Sequence, residues 1–246
     1  MELNYSQRAN GMYILSRENI EKIATDTLKE FSPHNLDYPS VLDTDAFLED
    51  YLGLLLKERF LGLPGQESIL GLTVMCESAE IPTIDSRCRP IVIEENCGTV
   101  MISTALNSVN NRGRKRYTKI HEGAHWILHN DYYRKLEEVS HPAQGGYVAC
   151  RSVECYAPKQ QRGKNWLEWQ ADTLASAILM PRAVFYGYSK ELLRHAGAPR
   201  GYLTEGSYHD KLIFQEVVEE LTSSFGVSAR AAQIRMIHLG LIRPAV

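Results

Sequence analysis

The chain has 246 residues, 44% hydrophobic and 23% charged, with a net charge of −3 and a pI near 6.3. These values fit one large globular domain, or a compact pair sharing a core, and count against a general nucleic-acid binder, which is usually basic. No apolar run approaches the roughly 18 to 20 residues of a membrane span. The N-terminus lacks the basic-then-apolar pattern of a secretory leader, and an odd set of five cysteines reads as reduced thiols in a cytosol.

In chain order, residues 16–31 predict a helix capped by Ser16, with Ile20, Ile23, Ala24, Leu28 and Phe31 at helical spacing. A second helix is expected over 44–55, capped by Asp43 or Thr44. Strands are expected at 69–75, 90–94 and 98–104, the last through Val100, Ile102 and Thr104. Residues 107–116 read as a polar connection that ends in the basic run Arg112-Gly113-Arg114-Lys115-Arg116, a loop open to an acidic partner. A helix follows over 117–129. The stretch 130–164 is polar and aromatic-rich, with turn signals at 141–146 and 160–165. Helices are then expected at 166–180, stopped by Pro181, at 184–195, and in the tail at 210–224 and 229–238.

This order predicts an α+β chain, mainly helical with a small sheet, rather than alternating β/α units. It reads as a single domain over 1–246. Residues 1–97 hold N-terminal helices and strands, 98–182 the core with its chemistry, and 183–246 the C-terminal helices with a helix-turn-helix-like tail.

The informative segment is His121-Glu122-Gly123-Ala124-His125, an H-E-x-x-H pattern. Residues four apart on a helix share a face, so two imidazoles can reach one Zn²⁺ at about 2.0–2.1 Å. Glu122, between them, need not ligate. It can accept the proton of a water that the metal activates.

A third ligand is required, and several residues compete. His129 lies eight residues beyond His121, about 12 Å along the axis, too far for one helix to wrap three rings around one ion. It is expected at the helix C-terminus, where a cation or a carbonyl hydrogen bond suits the dipole. Asp131 stands where H-E-x-x-H-x-x-G-x-x-H proteins place a ligand, but Leu128 replaces the required glycine. Glu168 is favoured: it lies on the next strong helix among Trp166, Trp169, Leu174 and Ile178, where an unpaired carboxylate is costly. Asp172, one turn on, is placed to accept the second N–H of a ligating histidine.

The segments RKRYTKIHEGAHWILH (114–129) and EWQADTLASAILMP (168–181) resemble the ImmA/IrrE family of zinc metallopeptidases. FGVSARAAQIRMIHLGLI (225–242) is similar to that family's common C-terminal segment, as are DAFLEDYLGL (45–54) and LGLTVM (70–75) to its N-terminal part. The resemblance covers most of the chain. It implies a gluzincin-like, zincin-type fold and one Zn²⁺ per chain on His121, His125 and Glu168. Glu122 is then the catalytic base and Asp172 the residue behind a ligand. It further implies a cytoplasmic bacterial endopeptidase whose substrate is a helix-turn-helix repressor of a mobile element or stress response. No extra N-terminal DNA-binding module stands out, so the repressor is expected to be a separate protein, with no direct nucleic-acid contact and no membrane. The rival reading is a zinc-containing regulatory module that grips a repressor or DNA without cutting it.

Weaker features complete the expectations. Cys150 and Cys155 are off the usual structural zinc spacing, with no matching pair elsewhere, and read as ordinary thiols. The tail carries Arg230, Arg235 and Arg243, but its apolar positions account for most of it by packing. The strand 98–104 is a candidate edge for pairing with an extended peptide. An oxyanion donor is sought among tyrosines and histidines of 130–164 or 183–210.

Overall fold

Ser16 begins the first helix as its sequence requires. Its hydroxyl accepts from the Asn19 N–H, and the Asn19 side chain accepts from the Ser16 N–H, closing a reciprocal cap on α1 (Arg17–Phe31). The structure, a computed structural model, describes residues 3–62, 69–139, 147–151 and 164–244. The turn signals at 141–146 and most of 160–165 lie outside these residues, as does Cys155.

Asp43 caps the next helix, accepting from the N–H groups of Asp45 and Ala46. That helix is shorter than expected. α2 (Thr44–Ala46) runs into a π-helical turn, Phe47–Tyr51, and Leu55 already belongs to a strand. This strand, β1 (Leu55–Arg59), carries Lys57, Glu58 and Arg59, so no apolar alternation marks it in the sequence.

The strands expected at 69–75, 90–94 and 98–104 form as β2 (Ile69–Val74), β4 (Pro90–Asn96) and β5 (Thr99–Ser103). β3 (Ser78–Ile84) was hidden by Pro82, which argues against a central strand. It pairs antiparallel with β4 alone, as a two-stranded hairpin with Ile81 opposite Ile93. The main sheet has the order β1-β5-β2-β6, with β6 at Tyr147–Arg151. β5 runs parallel to β1 and antiparallel to β2. The expectation that 98–104 offers an edge to a peptide is therefore corrected: both its edges are taken, and β1 and β6 are the outer strands.

Both faces of this sheet are covered, which explains why β2 and β5 are buried throughout. Alternate residues point to opposite sides. Leu72, Val74 and Met101 meet Ile81 and Ala79 of the hairpin, while Val100 and Ile102 join the main core. The main core is closed by α3 (Arg112–Val139), which lies against β2 and β5 on one side and α4 (Lys164–Leu179) on the other, with α1 packed on α4. Ile120, Ala124 and Leu128 of α3 meet Ala171, Leu174 and Ile178 of α4 in one cluster. Each buried Leu or Ile here contributes about 1.5–3 kcal/mol by transfer from water.

α3 starts earlier than expected, and the basic run is its first turn rather than a loop. Gly113 permits a close approach: a Cβ there would lie 2.4 Å from the Val227 carbonyl carbon. Arg116 donates through Nε to the Gly226 carbonyl at 2.9 Å and through Nη2 to the Leu42 carbonyl. Lys115 pairs with Glu58 at 2.5 Å. Much of the run's charge is thus spent inside the fold.

The C-terminal part comprises α5 (Arg182–His195), α6 (Tyr208–Phe225) and α7 (Ala229–His238). Two short parallel strands, β7 (Leu203–Thr204) and β8 (Ile242–Arg243), tie its end back. Arg235 does not face outward as a helix-turn-helix reading would have it. It is buried against Glu21 and the Met180 carbonyl. The architecture is mixed α and β: seven α-helices and a small sheet among the described residues, none of those helices long and apolar enough to cross a membrane.

Candidate metal centre

The α3 periodicity places His121 and His125 one above the other, with both rings fully buried. Their Nε2 atoms are 3.0 Å apart. α4 crosses this face and brings Glu168 to both, with Oε2 3.2 Å from His121 Nε2 and Oε1 3.4 Å from His125 Nε2. One ligand atom from each of the three residues falls within a 4.8 Å group. A tetrahedral ion with bonds of about 2.0–2.1 Å has ligand atoms roughly 3.3 Å apart, so this donor set fits one small cation. Asp131, the competing third ligand, is turned outward to Arg134 at 2.8 Å.

Electrostatics favour positive charge in the same place. Burial opposes protonation of His121, but Asp172 and Glu168 outweigh it and raise its pKa well above the ordinary histidine value. Burial also works to raise the Glu168 pKa, yet the two imidazoles hold it far below the usual carboxylate range. For His125 burial prevails, and its pKa falls.

Asp172 occupies the position expected of it. Its Oδ1 lies 3.0 Å from His121 Nδ1, so that nitrogen donates and Nε2 is the atom left facing the site, free to ligate once a cation replaces its proton. Tyr117 donates to the Asp172 carbonyl at 2.9 Å, bracing α4 on α3 at this point.

His129 requires a correction. α3 continues to Val139, so His129 sits in mid-helix rather than at a C-terminus, and it is fully buried. It is not among the three clustered donors. Its Nδ1 lies 2.9 Å from His125 Nδ1, and its Nε2 lies 3.0 Å from Gln170 Oε1. Burial, with the neighbouring His125, pushes its pKa down to about 3, which keeps the ring neutral.

Glu122 is fully buried beside the cluster. Its carboxylate is held by a residue that sequence reasoning missed: Thr73 Oγ1 donates to Glu122 Oε2 at 2.8 Å. Thr73 stands on β2, and the neighbouring inward position is Gly71. A Cβ at Gly71 would lie 2.6 Å from Thr118 Cγ2 and 2.8 Å from Glu122 Oε1, so the glycine makes room for the carboxylate. No local pattern announces a contact between a strand and a helix so far apart in sequence. Tyr133 is the described tyrosine of 130–139 whose phenol feels the site. Burial first, then Tyr132, Glu168 and Glu122, push its pKa up, so it stays protonated.

In comparison with known proteins, no family model matches the chain, and neither does any curated protein.

Proposed function

We propose that this protein is a zinc-dependent endopeptidase with a zincin-like core, acting in the cytosol on a helix-turn-helix transcriptional repressor. The observation that carries the enzyme reading is the presence, in one cluster with two buried histidines and a partly buried Glu168, of three ligand-type donors and a further carboxylate that is not among them. A site built only to grip would have no use for Glu122. Two imidazole nitrogens and one carboxylate oxygen suit zinc in a catalytic setting, where three protein ligands leave a position open. The substrate class rests on the ImmA/IrrE resemblance of residues 114–129, 168–181 and 225–242.

Zinc, when bound, supplies Lewis-acid chemistry, polarising a peptide carbonyl and making a water more acidic. The protein's own residues do the rest. His121 and His125 present Nε2, and Asp172 holds His121 by its other nitrogen. Glu122 takes the proton of the attacking water on its carboxylate and returns it to the departing amide nitrogen. The Thr73 hydroxyl orients that carboxylate from the sheet.

The test is Glu122→Gln. The amide is nearly isosteric and makes no difference to the three ligands, so zinc content stays at one per chain. Proteolysis falls by about 10²–10⁴-fold or more, because the amide cannot take a proton. The assay is cleavage of a repressor encoded beside the gene, read by intact mass, with a pull-down at equal zinc loading. Retained repressor binding with no fragments from the variant supports the proposal. If the variant relieves repression as well as wild type does and neither forms fragments, the non-proteolytic regulatory module replaces the peptidase.

A further inference from the structure

His125 is backed by a neutral chain, whereas His121 is backed by a carboxylate, and the neutral chain has a direction. It can be read from its far end. The Tyr13 carbonyl can only accept, and Gln170 Nε2 lies 2.9 Å from it, so the amide NH₂ faces Tyr13. That orientation turns Gln170 Oε1 toward His129 Nε2 at 3.0 Å, where an oxygen can only accept. His129 therefore carries its single ring proton on Nε2 and presents a lone pair at Nδ1. Facing that lone pair at 2.9 Å is His125 Nδ1, which must be the donor. The proton on Nδ1 leaves His125 Nε2 with a lone pair aimed at His121 Nε2 and Glu168.

We propose that Tyr13 O, Gln170 and His129 form a one-way hydrogen-bond relay that locks His125 in its metal-binding tautomer, making His129 and Gln170 positioning residues. Every member is buried, so water does not offer an alternative partner. The relay also ties the N-terminal segment to the metal centre. Gly11, at φ +85°, seats that segment on α3, where a Cβ would lie 3.1 Å from the Asp131 carbonyl oxygen and 3.3 Å from the Tyr132 Cα. The inference rests on the reading of His121, His125 and Glu168 as metal ligands.

Two measurements test it, using the full chain and zinc alone as the probe. The first is the tautomer of each histidine by long-range ¹H–¹⁵N correlation, in metal-free and zinc-loaded protein. The relay requires the Nε2–H form of His129 in both and the Nδ1–H form of His125 with zinc. An Nδ1–H form of His129 overturns it. The second is zinc affinity by competition with a chelator. His129→Leu loses about 10–100-fold, the usual effect of removing a partner behind a ligand. His129→Asn, whose Oδ1 can accept where Nδ1 did, recovers most of that loss. A folded His129→Leu protein with wild-type affinity overturns the relay. If His129→Leu does not fold, metal-free Gln170→Leu serves: it removes the acceptor that orients His129, and with no metal fixing His125 the ring then populates both tautomers. A single Nε2–H form in that variant also overturns the relay. Failure of wild type to bind zinc would sink the metal reading, while the metal-free tautomer of His129 would still decide the relay on its own.

Discussion

Two of the places where the protein sets a carboxylate with little exposure beside nitrogen-bearing partners are built in opposite ways. Glu21 of α1 meets Arg235 of α7 with two parallel contacts, Nη1 to Oε1 at 2.5 Å and Nη2 to Oε2 at 2.9 Å, while Arg235 Nε donates to the Met180 carbonyl at 3.1 Å. Donors meet acceptors, and the cluster is closed on itself. Glu168 instead faces two imidazole Nε2 atoms at 3.2 and 3.4 Å, which lie 3.0 Å from each other. Three electron-pair donors converge there, an arrangement that repels itself unless a cation or a proton stands between them. Burial of charge is common to both, so burial does not mark chemistry. The direction of the lone pairs does.

The sharpest way to break this contrast is to remove one carboxylate from each cluster. Glu168→Ala should take zinc from one per chain to nearly none by elemental analysis. Glu21→Ala should leave zinc at one per chain but strand a buried guanidinium, costing about 3–5 kcal/mol in a denaturant melt. Loss of zinc in Glu21→Ala with retention in Glu168→Ala would reverse the assignment of the two sites.

A step down in size is Asp172→Ala, which removes the acceptor behind His121 without touching a ligand. Zinc affinity should fall roughly 10- to 100-fold by chelator competition. A stoichiometric loss would make Asp172 a ligand, and no loss would leave His121 oriented by something else.

Most of this centre was legible in the sequence because it is helical. Four-residue spacing in 121–125 and again in 168–172 fixes which side chains share a face, and Ser16, Asp43 and Pro181 punctuate their helices by local chemistry alone. What escaped was non-local. β1 has no alternation to read, and β3 carries Pro82; each is a strand because a partner lies beside it. Thr73 and Gly71 matter through a helix that arrives much later in the chain. Polar residues follow His129 and suggest a helix end there, but the ten further residues of α3 give it a different neighbourhood. The zincin-like reading of the fold is a proposal that rests on the resemblance, and the sheet beside α3 is compatible with it.

Thr73→Val tests the non-local part of the site. The valine keeps shape and burial but removes the hydroxyl that donates to Glu122 Oε2. A hydrogen bond to a charged group is worth about 1.5–3 kcal/mol, so kcat should drop by roughly 10- to 150-fold where all of it is felt in the transition state. Zinc content should not move, because Thr73 touches no ligand. A kcat equal to wild type would show that Glu122 is positioned by α3 alone.

The smallest expected effect lies in the tail, where the two arginines of α7 separate the closed cluster from the surface. Arg230 is exposed and donates to Gln233 Oε1 at 3.0 Å, a contact within its own helix. Arg235, five positions on, is 1% exposed and spans α1 and the end of α4 through Glu21 and Met180. If α7 serves packing, Arg230→Ala should change stability by no more than about 0.5 kcal/mol, the usual range for a surface substitution. Arg235→Ala should cost several-fold more by leaving Glu21 buried without its partner. The same pair addresses the helix-turn-helix likeness of residues 225–238. A recognition helix reads DNA with side chains that reach outward, and Arg235 is turned the other way. Electrophoretic mobility shifts with wild type and Arg230→Ala, run at low and moderate salt, would expose a DNA-reading role. A shift by wild type that Arg230→Ala weakens would give this tail a function that its packing does not require.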